Sequence, residues 1–248
     1  MRCMHEAQMH TDNCFITLTY NEENAPHRNN LNHSDFQKFM KRLRKYVGVS
    51  TSISYYMGGE YGEQNNRPHF HACIFGYNFA DRKYFSRSPS GEKLYRSETL
   101  ERLWPFGYST IGEVNFQSAA YIARYCLKKV TGKAAEQHYK RHDEEGEYQL
   151  TPEYNRMSLK NPIGKKWLAK YKNDVYNYDH VIINGQECKP PKYYDRLLKK
   201  WDNDRLEEIK EEREQNSLNH KADNTPQRLA AREQFQHARI KALKRGKV

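Results

Sequence analysis

Two patterns in this sequence carry residue types able to do chemistry: His69-Phe70-His71, and Tyr121-x-x-x-Tyr125-x-x-Lys128-Lys129. Side chains at i and i+2 of a strand share a face. A strand over 68–76 therefore projects His69 and His71 one way, and Phe70, Ala72 and Ile74 the other. Two imidazoles held on a rigid strand make a partial metal site that needs a third ligand. Glu60, near the end of the preceding strand, comes close if the two strands form a hairpin; Glu63, in the turn itself, is the alternative. Such a site keeps open positions, which a substrate phosphate needs. Redox iron uses the same ligand types, so ligand identity alone does not decide the reaction. An isolated H-x-H pair also occurs as two histidines capping a sheet edge.

On a helix, Tyr121, Tyr125, Lys128 and Lys129 fall at i, i+4, i+7 and i+8, along one stripe. Ala119, Ile122 and Cys126, flanked by Ala123 and Leu127, supply the packing face. A phenol is a weak nucleophile near neutral pH because its unperturbed pKa is about 10. Nearby ammonium groups favour phenolate and offset charge on a pentavalent phosphorane. A tyrosine that attacks a phosphodiester stores the bond as phosphotyrosine, which keeps strand breakage reversible. The same spacing also fits an ordinary amphipathic helix with half-buried tyrosines and solvated lysines.

The elements that must position these residues are legible in part. Cys14 to Tyr20 alternates around Thr17 and Thr19 and predicts a strand, and 21–32 a loop. Ser34, with Gln37 three residues on, opens a helix whose apolar face is Phe36, Phe39, Met40, Leu43 and Val47. Residues 53–61 and 68–76 pair as a hairpin. A polar loop over 81–97, a short helix over 98–104, a strand over 108–114 and a strong helix over 116–130 follow. Residues 131–155 read as a charged loop, 161–171 as a turn with a helix start, and 175–183 as a closing strand. This order predicts an α+β fold, a central antiparallel sheet with flanking helices. After Pro190-Pro191 the chain becomes highly charged, so residues 1–195 are expected to form one domain and 196–248 a helical, partly disordered basic tail.

Composition narrows the function classes. The 248 residues hold 42 Lys plus Arg against 31 Asp plus Glu, a formal charge of +11 that favours a polyanionic partner such as nucleic acid. Nineteen tyrosines and ten phenylalanines add the stacking surface that single strands exploit. No apolar run is long enough for a membrane-spanning helix, and the N-terminus reads as no secretory signal. Five widely spaced cysteines without a CxxC suggest neither a disulfide framework nor a cysteine zinc site, and fit a reducing cytoplasm.

An early F-x-T-L-T strand (Phe15 to Thr19), Gly59-Glu60-Tyr61-Gly62 with Arg67-Pro68-His69-Phe70-His71, and the helix Tyr121 to Lys129 occur in that order. Met157-Ser158, Asn161-Pro162-Ile163-Gly164 with Trp167, and Pro191-Lys192-Tyr193-Tyr194-Asp195 come later. Across residues 2–200 the chain resembles the HUH endonucleases that start rolling-circle DNA replication, in particular the replication initiators of gokushovirus-type microviruses. The resemblance implies a ferredoxin-like sheet and a divalent metal, Mg²⁺ or Mn²⁺, held by His69, His71 and Glu60. It implies that Tyr121 or Tyr125 nicks single-stranded origin DNA, leaving a 5′-phosphotyrosyl link and a free 3′-hydroxyl for a host polymerase. The other tyrosine would release a circle, and Lys128, with Lys129 as its rival, would contact the phosphate or the metal site. The setting would be the cytoplasm of a bacterial host. Two departures stand out: the family leads us to expect more chain ahead of Arg2 to Glu6, and Asn161-Pro162-Ile163 replaces the family's Pro-Gly-Ile. Two other readings fit: a noncatalytic single-strand binder on a ferredoxin-like sheet, and a single-tyrosine HUH transposase. The tail is expected to be a solvated helix, to hold duplex DNA near the origin, or to contact a host helicase.

Overall fold

The computed structural model describes residues 1–62 and 65–242, the side chains of residues 125–128 excepted, and resolves into two compact units, Met1–Trp167 and Leu168–Lys247. The first opens with helix α1 (Arg2–Ala7) and strand β1 (Asn13–Tyr20). Helix α2 (His33–Val47) crosses to the hairpin of β2 (Ser54–Tyr61) and β3 (Pro68–Phe75). A second hairpin, β4 (Lys83–Arg87) and β5 (Lys93–Arg96), precedes helix α3 (Glu98–Leu103), strand β6 (Gly107–Gly112) and helix α4 (Phe116–Lys128). Helix α5 (Lys133–Tyr139), the small hairpin β7 (Lys140–Asp143) and β8 (Gly146–Gln149), and strand β9 (Tyr154–Met157) complete it.

The central sheet is antiparallel throughout, with seven strands in the order β4-β5-β6-β1-β3-β2-β9. Its inner four strands, β6-β1-β3-β2, together with α2 and α3, form the β-α-β-β-α-β arrangement of ferredoxin-like folds. This is the α+β architecture that the alternation and helical periodicity predict.

The two faces of the sheet follow from the period of two in its strands. Ile16, Leu18 and Tyr20 of β1 and Phe70, Ala72 and Ile74 of β3 are buried against Phe36, Phe39, Met40 and Leu43 of α2 and Leu100 and Leu103 of α3. Each such fully buried side chain contributes about 1.5–3 kcal/mol relative to exposure. On the opposite face Phe15, Tyr56, Cys73 and Phe75 form a second core with Ala119 and Ile122 of α4 and Cys3 of α1. His69 and His71 lie beyond Cys73 on that second face.

Several local expectations are corrected. The N-cap of α2 is Asn32, whose side chain accepts from the Ser34 amide, so the helix starts ahead of Ser34. The 81–97 loop contains the β4–β5 hairpin, and the 131–155 loop contains α5, β7, β8 and β9. These elements lack apolar periodicity; they are held by backbone pairing and by distant contacts. Arg28 makes a fork with both carboxylate oxygens of Asp143 at 2.7 and 2.8 Å. Helix α4 stops at Lys128, and Lys129 leaves on extended backbone. Ala123, expected on the flank of the packing face, is exposed.

Helix α1 was not legible because its buried face is polar. Glu6 accepts from Ser54 Oγ at 2.7 Å and from the Gly164 amide at 2.7 Å. His5 is buried and stacked on Trp167, ring centres 3.7 Å apart. Burial, helped by the N-terminal charge, lowers the His5 pKa to about 4. An unfolded histidine titrates near 6.5. Between those values the unfolded chain binds a proton that the folded chain does not, so stability is complete above about pH 6.5 and falls towards pH 4. The expected loss is on the order of 3 kcal/mol. His5→Phe should flatten the profile, as read by urea denaturation at pH 7 and pH 4.5.

In the second unit, the rest of α6 (Lys165–Tyr176) leads to a hairpin of β10 (Val181–Ile183) and β11 (Gln186–Cys188). The expected closing strand over 175–183 is thus a helix end plus a short strand paired outside the central sheet. Helices α7 (Lys192–Trp201), α8 (Asn203–Asn219) and α9 (Pro226–Ala242) follow. Arg213 bridges Asp179 and Asp195 in this unit. Among the described residues no helix is long and apolar enough to cross a membrane.

Candidate metal centre and tyrosine helix

The β2–β3 register sets Glu60 directly opposite His69, and Gly58 opposite His71. All three donor-bearing side chains therefore share one face, and Gly58 brings no side chain into the space beside His71. His69 Nε2 lies 2.7 Å and His71 Nε2 3.1 Å from the same oxygen, Glu60 Oε1. One donor atom from each residue falls within 4.8 Å of the others. Glu60 and His71 are buried; His69 is half-buried at the rim.

Neighbours orient the rings. His69 Nδ1 donates to the Arg67 carbonyl at 3.1 Å, a contact that fixes the proton on Nδ1 because a carbonyl only accepts. His71 Nδ1 is bonded to Thr17 Oγ1 at 3.0 Å. Both Nε2 atoms are thereby turned towards Glu60, the arrangement in which the second ring nitrogen of a metal-binding histidine is held by an outer partner. Burial alone would raise the Glu60 pKa, but the hydrogen bonds and charge of His69 and His71 outweigh it, so the carboxyl is held well below its usual range. Two imidazole nitrogens and an ionised carboxylate suit a divalent cation. Glu60, His69 and His71 could hold one.

Helix α4 approaches from the side. Asn115 and Ser118 cap it reciprocally at 2.8 and 2.9 Å. Asn155 on β9 donates to the Ile122 carbonyl at 2.7 Å, which ties the middle of the helix to the sheet edge. The Tyr121 ring stands edge-on to His71, centres 5.0 Å apart at 86°. The Arg124 guanidinium lies 5.7 Å from the Tyr121 ring centre.

Of the residues singled out from sequence, Glu60, His69, His71 and Tyr121 come together. Lys129 is exposed past the helix end. The side chains of Tyr125 and Lys128, and the whole of Glu63, lie outside the described residues. Thr17, Arg67 and Asn155 were missed. The signal for Thr17 was present: in an alternating strand it falls on the face opposite Ile16 and Leu18. It also pairs with His71 across the β1–β3 ladder.

Residues 13–130 match a family of replication-associated proteins, the ORF2 family. The chain is 35% identical over 207 residues to the replication-associated protein VP4 of Bdellovibrio phage phiMH2K, covering 81% of this chain and 62% of that protein. It is 37% identical over 214 residues to the replication-associated protein ORF2 of Spiroplasma virus 4, covering 82% and 63%. With the replication-associated protein ORF4 of Chlamydia phage 1 it shares 27% over 202 residues, covering 79% and 48%. The chain thus spans less than two thirds of the length of these relatives. No solved structure matches it.

Proposed function

Residues 13–130 belong to the ORF2 family of replication-associated proteins, and from that premise we propose that the protein nicks and rejoins single-stranded origin DNA to start rolling-circle replication of a small phage in the cytoplasm of its bacterial host. One observation carries the reading: the Tyr121 ring lies 5.0 Å from the ring of His71, a member of the Glu60–His69–His71 donor group. A nucleophile and a cation site within reach of a single phosphate are what a tyrosine transesterase requires.

Bound there, Mg²⁺ or Mn²⁺ would act as a Lewis acid on a phosphoryl oxygen. The chain's own groups do the rest. Glu60, His69 and His71 hold the cation, and Thr17 and the Arg67 carbonyl keep the two rings aimed. The Tyr121 hydroxyl gives up its proton and its oxygen bonds to phosphorus. The bond from phosphorus to the 3′-oxygen breaks, and that oxygen takes up a proton. The products are a 5′-phosphotyrosyl link and a 3′-hydroxyl, which a host polymerase extends behind a host helicase. Tyr125 makes the second transfer that closes a circle, or acts first with Tyr121 second. Lys128, or Lys129 in its place, offsets the phosphate charge.

Incubation with labelled single-stranded origin DNA and Mn²⁺, followed by mass spectrometry of the linked peptide, tests the reading. A nucleotide adduct on the peptide containing Tyr121 and Tyr125 is expected. Steep salt-dependent binding with no adduct under Mn²⁺ or Mg²⁺ would instead indicate a noncatalytic binder. The outer support has its own test: Thr17→Val removes the partner of His71 Nδ1 at nearly constant volume. Mn²⁺ affinity by calorimetric titration should fall about 10–100-fold.

A further inference from the structure

The sheet face that bears the metal centre is only half covered. Towards β2 and β3, α1 and α4 seal it through the second core. Towards β6, β5 and β4 it continues as rows of paired residues. One row runs Glu60, His69, Thr19, Tyr108; the next runs His71, Thr17, Thr110. Tyr108 is 56% exposed.

The same face extends onto the β4–β5 hairpin. Tyr95 pairs with Ile111, whose side chain belongs to the core under α2 and α3, and Tyr95 packs against that core. Alternation then turns Arg96 to the metal-centre face. Arg96 pairs with Lys83, and its guanidinium lies 4.6 Å from the ring centre of Phe85, which is 51% exposed. From residue 82 to residue 96 the chain carries five Lys or Arg and one carboxylate, Glu92. Lys83 meets Glu98 at 3.4 Å and Arg96 meets Glu101 at 3.7 Å, but these are solvent-exposed pairs of the kind worth little. They exchange readily for another anion.

Exposed rings interleaved with cations, three strands and about 14 Å from the metal centre along one surface, match the chemistry of unpaired bases and their phosphates. We propose that Tyr108 and the β4–β5 hairpin form a stacking platform that holds the DNA single strand to one side of the phosphate at the metal centre. This rests on the functional reading above, and it adds a surface to which the nucleophile and the metal ligands contribute nothing. Phe85 and Tyr108 stack on bases, while Arg96 and Lys83 pair with phosphates.

The test is fluorescence anisotropy of the full chain with a labelled mixed-sequence single-stranded oligonucleotide and with its duplex, in EDTA so that no cleavage intervenes. Phe85→Ala with Tyr108→Ala should weaken single-strand binding at least tenfold and duplex binding much less. Phe85→Trp with Tyr108→Phe, which keep the rings, should bind as the parent does. Lys83→Gln with Arg96→Gln should reduce the slope of log affinity against log salt by about 1.4, or 0.7 per phosphate. Lys41→Gln with Lys45→Gln, on the outer surface of α2, should leave single-strand binding unchanged. Single-strand affinity within twofold of the parent for the double alanine variant, or an equal loss on duplex, would overturn the platform. Tyr121→Phe should bind normally. Failure of the parent to form a phosphotyrosyl adduct would sink the functional reading while leaving these binding results to judge the platform separately.

Discussion

Phe at both 121 and 125 is expected to abolish covalent capture of single-stranded DNA, with adduct formation falling by at least about 10³-fold. Each change deletes one oxygen and leaves the ring. At position 121 the edge-on contact with His71 survives, so the variant should keep its fold and its metal affinity. A tyrosine hydroxyl is a reactant here, not one contributor among several, and water cannot replace it in forming a protein–DNA bond. Each single Phe variant should retain capture through the remaining tyrosine, and the one that loses the first turnover identifies the initial attacker. An adduct of undiminished yield on the double variant, read on a denaturing gel, would assign the nucleophile elsewhere.

Removing both imidazoles should be nearly as severe. His69→Ala with His71→Ala takes away two of three metal donors, so Mn²⁺ binding by calorimetry and DNA cleavage should both vanish, as cleavage should in EDTA. Stability should suffer too. The double change deletes two hydrogen-bond donors to a carboxylate that is 3% exposed. Breaking a buried charged pair from one side costs about 3–5 kcal/mol. Adding Glu60→Gln removes the buried charge, so the triple variant should recover part of that loss in urea denaturation without recovering metal binding. Full cleavage in EDTA would refute a metal role for these residues.

What was legible in the sequence was local. The hairpin that brings Glu60 opposite His69 closes within nine residues, so strand periodicity was enough to expect the pairing. The apolar spacing of α2 and α4 marked their packing faces for the same reason. The polar hairpins left no such trace. Residues 140–149 depend on Arg28, whose fork to Asp143 joins positions 115 residues apart. Helix α1 depends on Glu6 reaching the Gly164 amide, 158 residues away. In the candidate site, the rings were visible and their supports were not: Thr17 and Asn155 matter through the strands that β1 and β9 lie beside, and pairing across a sheet is not written in either segment alone.

All three metal donors come from one hairpin, whereas Tyr121 arrives fifty residues after His71 on a helix that follows two further strands and another hairpin. Closing so short a loop sacrifices little chain entropy, while docking α4 awaits the assembled sheet. During folding the cation pocket can therefore take shape well ahead of any nucleophile to use it, and a nascent chain is kept from attacking DNA until the last helix seats.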